Sequence, residues 1–323
     1  MALSLWSFFS CSKESALPQE QRALQFSTVE SKSNLSLPFT TFKVWGEVCV
    51  ASSSEPLPLI QGYRVNYINN NNQWSYTQGE GTEGQEMKYW SYSADEYRFH
   101  AGAPFERVEK ITASSLTLQV DATPSQDGTT LFTQPYVVKR GDAQFGNTVN
   151  LKFTYANCRV NVAVKYKAAQ EVKVSDIMLT PPASVHYLTS CTMELSYDWS
   201  RQSISLTSLT KPTYANDALA FSDIIIPAES ANSVESSSPL YMIPDAGITG
   251  QWTATLKIDE EGDGDGDGRE MEVFFTVDKG WESGKSYIYS FLYTDQATLL
   301  FLGTETVLFE GEDMEDGGNH NFS

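Results

Sequence analysis

The chain of 323 residues is poor in the groups that usually carry chemistry, with three histidines and four cysteines. His100, His186 and His320 stand far apart, whereas a catalytic base or nucleophile needs an orienting partner within hydrogen-bond reach. H-E-x-x-H, G-x-S-x-G and Gly-rich phosphate loops are all missing, so no motif points to a zinc protease, an α/β-hydrolase or a nucleotide enzyme. Paired carboxylates of the glycosidase type depend on three-dimensional spacing, which 41 acidic residues leave open. The expectation is therefore no enzyme, no catalytic residues and no cofactor. Cys11, Cys49, Cys158 and Cys191 form no C-x-x-C pair, and their long spacings suit no zinc cassette. Disulfides are not expected to hold the fold together. Basic residues are scarce too, at 22, and the resulting net charge of −19 repels phosphate backbones and anionic lipid surfaces. Nucleic acid is thereby discounted as a partner. No apolar run approaches the ~20 residues a bilayer span requires, which leaves a covalent lipid or another protein as the route to a membrane.

What the chain does contain is apolar and aromatic material, 41% and 12% of its residues, enough to build cores. Its length suggests two domains of ~100–200 residues each. Period-2 alternation recurs, and no stretch of a dozen residues follows a helical period, so the chain reads as all-β. Strands are predicted at 42–50, 115–120 and 149–155; Leu116, Leu118 and Val120 share one face, as do Val149, Leu151, Phe153 and Tyr155. After Tyr155 the apolar phase slips to Val160, Val162, Val164 and Tyr166, which predicts a bulge or tight kink at Asn157-Cys158. Further strands are predicted at 176–180, 192–197, 224–227, 252–258, 271–277 and 287–293. Loops fall at 51–55, 69–72 and 230–239 by composition. A boundary near 167–174 gives an N-terminal domain over 23–170 and a C-terminal one over 171–323.

Three local patterns bear on function. The opening Leu3-Ser-Leu-Trp6-Ser-Phe8-Phe9-Ser10-Cys11 looks like the tail of a lipoprotein signal, with Cys11 the residue whose thiol takes diacylglycerol and whose N-terminus, freed by cleavage, takes palmitate. Residues 1–22 then form a signal remnant and removable segment. The acidic run Asp259-Glu-Glu-Gly-Asp263-Gly-Asp265-Gly-Asp267-Gly268 resembles the start of a calcium loop, making Asp263, Asp265 and Asp267 weak Ca²⁺ candidates. Counted from Asp263, however, the place of the bidentate Glu holds Phe274, and a solvated hairpin tip between 252–258 and 271–277 is the simpler reading. No metal is expected elsewhere. Aromatics gather at Trp74, Tyr76, Tyr89, Trp90, Tyr92, Tyr97 and Phe99. Such rings pack a core more often than they grip sugar, but a surface glycan-binding lipoprotein is the alternative function they keep open.

Several blocks together resemble the fimbrillin family, the lipoprotein-derived subunits of outer-membrane fimbriae. They are Ser10-Cys11-Ser12-Lys13-Glu14, the early strand at 39–50, Lys88-Tyr-Trp90 with Tyr97-Arg-Phe99-His100-Ala101-Gly-Ala-Pro104, the run Val149 to Val160, Leu240-Tyr-Met-Ile243-Pro244, and Trp281-Glu-Ser-Gly284-Lys285-Ser-Tyr287-Ile-Tyr289. The resemblance implies two tandem transthyretin-like Greek-key β-sandwiches, a lipidated precursor, and cleavage after an Arg by a trypsin-like protease. It also implies head-to-tail assembly in which a strand from the next subunit fills a groove, giving open filaments. Gln21-Arg22-Ala23-Leu24-Gln25-Phe26 resembles the cleavage site, with Arg22 as the P1 residue and Ala23 as the mature start. The terminal segment carrying Leu299, Phe301, Val307 and Phe309 is the candidate donor strand. The implied partners are other fimbrial subunits and a host or bacterial surface ligand, at the extracellular face of the outer membrane and in the fimbria, with membrane contact only through a lipid anchor.

Overall fold

The computed structural model describes residues 22–28, 38–68, 73–260 and 268–309. Their alternating side chains form strands in five sheets, joined by three single 3₁₀ turns and no α-helix. The all-β sandwich reading is correct. Predicted strands overlap Thr41–Cys49, Ser115–Asp121, Val172–Thr180, Tyr187–Asp198, Ile224–Ile226, Gly250–Asp259, Arg269–Val277 and Lys285–Tyr293, the first and fifth of them running one residue past the observed end. Gly250–Asp259 and Arg269–Val277 pair antiparallel, so the acidic run does join the two arms of a hairpin.

In the N-terminal half, a seven-stranded sheet runs in the order Phe153–Tyr155, Leu131–Thr133, Glu96–Ala103, Thr41–Cys49, Leu57–Ile68 and Gln73–Ser75, with Tyr136–Lys139 also on Glu96–Ala103. Its central strand Glu96–Ala103 is covered on both faces. Tyr97, Phe99 and Ala101 point into one apolar cluster with Phe42, Val44 and Trp90. The intervening residues face a second layer, where the His100 ring lies 4.0 Å from that of Tyr197. At Gly102 a Cβ would stand 2.8 Å from Val108 Cγ2 and 3.0 Å from Leu118 Cδ2, so only hydrogen fits between the layers.

That second layer is a four-stranded sheet in the order Ser203–Ala215, Tyr187–Asp198, Ser115–Asp121 and Val108–Ile111. Tyr187–Asp198 pairs with Ser115–Asp121 from Ser190↔Asp121 to Ser196↔Ser115, so a hairpin from beyond residue 170 completes a sheet begun before it. Leu116, Leu118, Val120, Met193, Leu195 and Tyr197 fill the space between this sheet and the seven-stranded one.

The C-terminal half is a sandwich of two five-stranded sheets. In one, Cys158–Lys165 lies parallel to Lys285–Tyr293, which pairs antiparallel with the terminal strand Leu299–Leu308. In the other, Val172–Thr180 pairs with Gly250–Asp259, followed by Arg269–Val277 at the edge. Val160, Val162, Val164, Trp252, Ile258, Phe275 and Phe291 form the shared core.

The phase slip after Tyr155 has a different origin from the bulge expected within one strand. Residues 149–155 are two strands: Val149–Leu151 pairs with Phe26–Thr28, and Phe153–Tyr155 belongs to the seven-stranded sheet. The chain then changes sheets at residues 156–157 before Cys158–Lys165 begins. Asn157 stabilises the crossing: its buried side chain accepts from Thr130 N–H (3.0 Å) and donates to Asp121 C=O (3.0 Å). Backbone groups that leave a ladder at a crossover must find partners of this kind.

Candidate functional site

The N-terminal segment Arg22 to Thr28 follows the strand period with Leu24 and Phe26 pointing inward, at 0% and 3% exposure. Phe26 stands edge-on to three rings, Phe42, Tyr76 and Phe99, at centroid distances of 6.2, 5.8 and 5.7 Å. Such an arrangement sets positive ring edges against negative ring faces. The backbone is tied down as well. Trp90 N–H donates to Arg22 C=O (3.0 Å), Leu24 N–H to Lys88 C=O (2.8 Å) and Val149 N–H to Gln25 C=O (2.8 Å). Phe26–Thr28 then runs parallel to Val149–Leu151 over three register pairs.

The two residues at the expected cleavage point sit at the start of this segment. Arg22 is exposed and its Nη1 donates weakly to Asn147 Oδ1 at 3.4 Å. Ala23 is half-buried and forms an antiparallel bridge with Tyr89. Both border a shallow polar depression of about 480 Å³ that also takes in Gln25, Gly146, Asn147, Thr148 and Asn150. The apolar groove of this half is thus filled by residues that lie after the expected cut.

At the other end, Leu299–Leu308 is the last strand of its sheet among the described residues. Nine register pairs tie it to Lys285–Tyr293, broken by a shift between Ser290 and Phe291. Leu299 is buried, and Phe301 packs on Phe275 and Phe291 at 5.0 and 5.5 Å. Val307 is half-buried, and Phe309 lies 4.1 Å from the Tyr155 ring and 5.6 Å from that of Tyr241. Leu299 and Phe301 pair with Tyr293 and Phe291 on the core face, whereas beyond the shift Val307 pairs with Ser286 on the opposite face, and Phe309 packs against the N-terminal cluster, so the four residues singled out in the sequence do not share one face. Leu300, Leu302 and Leu308 are left exposed, at 46%, 40% and 60%. These exposed leucines were not singled out, although the run Leu299-Leu-Phe301-Leu302 signals apolar side chains on both faces.

Other sequence candidates fall elsewhere. Cys11, Asp263, Asp265 and Asp267 lie outside the described residues, as does His320. Trp90, Tyr76, Tyr97 and Phe99 are core residues, and Trp74 packs on Phe39, Phe42 and Tyr67, so these rings build the N-terminal core. His100 is fully buried, its Nε2–H donating to Thr112 C=O (2.7 Å), and burial pushes its pKa down to about 3. It is a neutral packing residue between the two layers. Cys49, Cys158 and Cys191 are free thiols. No helix among the described residues is long and apolar enough to cross a membrane.

Comparison with known proteins fits this geometry. A family model described as fimbrillin-like matches residues 51–307. Among solved structures, the chain is similar to a fimbrial protein from Bacteroides vulgatus, at 12% identity over 90% of this chain and 100% of that one, with a TM-score of 0.58. It is also similar to a proposed cell adhesion protein from Bacteroides ovatus, at 12% identity over 90% and 99% of the two chains, with a TM-score of 0.50. At these identities the likeness is one of fold. No curated protein matches the sequence.

Proposed function

Because the chain belongs to the fimbrillin-like family, we propose that it is a structural or adhesive subunit of a cell-surface fimbria, without enzymatic activity. The precursor is lipidated at Cys11, exported to the outer face of the outer membrane, and cut between Arg22 and Ala23 by a trypsin-like protease. Subunits then join head to tail, with the strand carrying Leu299, Phe301, Val307 and Phe309 donated to a neighbour. Two sandwich units that exchange segments near residue 170 make up the subunit, the strand Cys158–Lys165 serving the second and the hairpin 187–215 the first.

The observation that supports this reading is the terminal strand itself. Among the described residues it lies at a sheet edge, buries Leu299, half-buries Phe301 and Val307, and leaves Leu300, Leu302 and Leu308 exposed. Edge strands of soluble proteins usually carry charges or prolines that block further pairing. Here three of the five exposed side chains are leucines and no proline stands in the strand, and apolar side chains of this kind are what a strand seats in another chain's pockets.

The test is the intact mass and N-terminal sequence of the protein recovered from the surface of its native cells. A start at Ala23 without lipid is expected for an assembled subunit. An acylated start at Cys11 would remove processing from the scheme and leave an anchored surface protein.

A further inference from the structure

We propose that the Arg22–Ala23 bond is shielded in the folded precursor, so that its cleavage waits on release of residues 22–28 from the N-terminal core. This deepens the processing scheme above and rests on it for the identity of the bond. A trypsin-like protease hydrolyses an Arg–Ala amide by adding water across it, leaving a carboxylate on Arg22 and an ammonium group on Ala23. To do so it must hold the substrate extended, making its own hydrogen bonds to the backbone on either side.

Those backbone groups are already occupied. Arg22 C=O, the carbonyl to be attacked, accepts from Trp90 N–H, and Leu24 N–H, one residue past the mature start, donates to Lys88 C=O. Tyr76 Oη–H donates to Leu24 C=O (3.0 Å), and Lys88 N–H donates to Tyr76 Oη (3.0 Å), which closes the bridge around Ala23. The protease cannot replace these bonds while Leu24 and Phe26 remain anchored, because the chain cannot swing outward when the first anchor, Leu24, lies two positions after the scissile carbonyl and the second, Phe26, two further on. Arg22 is exposed and reachable by side chain, while the bond beside it is not.

Cleavage of a transiently opened segment follows the population of the open form when opening and closing are fast. The shield therefore predicts how rate responds to anchors that never touch the protease. The purified full chain would be treated with trypsin under native conditions, and cleavage at Arg22 followed by mass spectrometry beside a synthetic peptide of residues 18–27. Cleavage after Arg159, inside a central strand, reports global unfolding.

The folded chain is expected to be cut at Arg22 at least about 100-fold more slowly than the peptide. Phe26→Ala, which empties a three-ring site, should raise the rate at Arg22 by about 100-fold. Tyr76→Phe, which removes one hydroxyl, should raise it by about 5-fold with cleavage at Arg159 unchanged. Equal rates for the wild-type chain and the peptide would overturn the shield, as would a Tyr76→Phe chain cut no faster than wild type. The processing scheme fails by a different result: Arg22→Gln chains recovered from native cells with an unaltered mature N-terminus.

Discussion

The strands Glu96–Ala103 and Leu299–Leu308 both carry large apolar side chains, yet one is covered on both faces and the other lies at an edge with one face open. Around the first, Phe26 and its neighbours close one side and the hairpin bearing Tyr197 closes the other. The second is held mainly by its backbone ladder to Lys285–Tyr293, with Phe301 and Phe309 as half-buried anchors. The contrast separates two ways of holding a strand. Side-chain burial makes a region intolerant of truncation, because each lost ring leaves a cavity. A ladder with one wet face tolerates side-chain change but remains exchangeable for any strand that offers the same backbone groups.

Phe26→Ala should give the largest effect on stability, a loss of about 3–5 kcal/mol in urea unfolding, since the ring is buried among three others. A loss under about 1 kcal/mol would mean the segment contributes little to closing the core and would break the contrast.

Acid should come next. His100 is neutral when folded, with Nδ1 buried and lacking a hydrogen-bond partner among the described residues. The unfolded chain takes up a proton below pH 6.5, while the folded one does not until about pH 3. Stability from this group is therefore complete above pH 6.5 and lost as pH falls, by up to about 1.4 kcal/mol per unit. Of the charged groups nearby, Arg98 lies over Trp199, and Glu47 bonds to Arg98. Burial raises the Glu47 carboxyl pKa, which acts in the opposite direction because acid favours its folded form. Comparing wild type with His100→Gln between pH 7 and 4.5 isolates the histidine, and the variant should show the shallower slope. Equal slopes would remove His100 from the account.

The contrast between the two strands was only partly legible in the sequence. Leu299–Leu308 announces itself because one face is wet, and hairpin arms such as Gly250–Asp259 do so for the same reason. Glu96–Ala103 is half hidden: Tyr97 and Phe99 alternate with Glu96, Arg98 and His100, but the strand then runs into Ala101-Gly-Ala103, buried on both faces and without a period. Ser203–Ala215 hides for the opposite reason, being largely exposed and rich in Ser and Thr. Leu24 and Phe26 do alternate, but their parallel pairing with Val149–Leu151 spans more than a hundred residues, and nothing local encodes such a partner. The return of Tyr187–Asp198 to Ser115–Asp121 is equally non-local.

Two smaller effects would sharpen the comparison at the terminal strand. Phe309→Ala should cost about 1–2 kcal/mol, less than Phe26→Ala, because its ring rests on Tyr155 and Tyr241 from one side only.

Leu302→Ser should change stability by less than about 0.5 kcal/mol, since the side chain is already 40% exposed and faces away from Phe275 and Phe291. Its effect should fall on assembly. If this strand is donated to a neighbour, its exposed leucines become buried there, and the substitution should lower the yield of denaturation-resistant oligomers formed after trypsin treatment. Reading both quantities on one variant separates the two roles of the edge. A stable monomer that no longer polymerises places the leucines in the contact between subunits. Unchanged polymerisation would place them on the outside of the filament and leave Leu299, Phe301 and Val307 to carry the exchange alone.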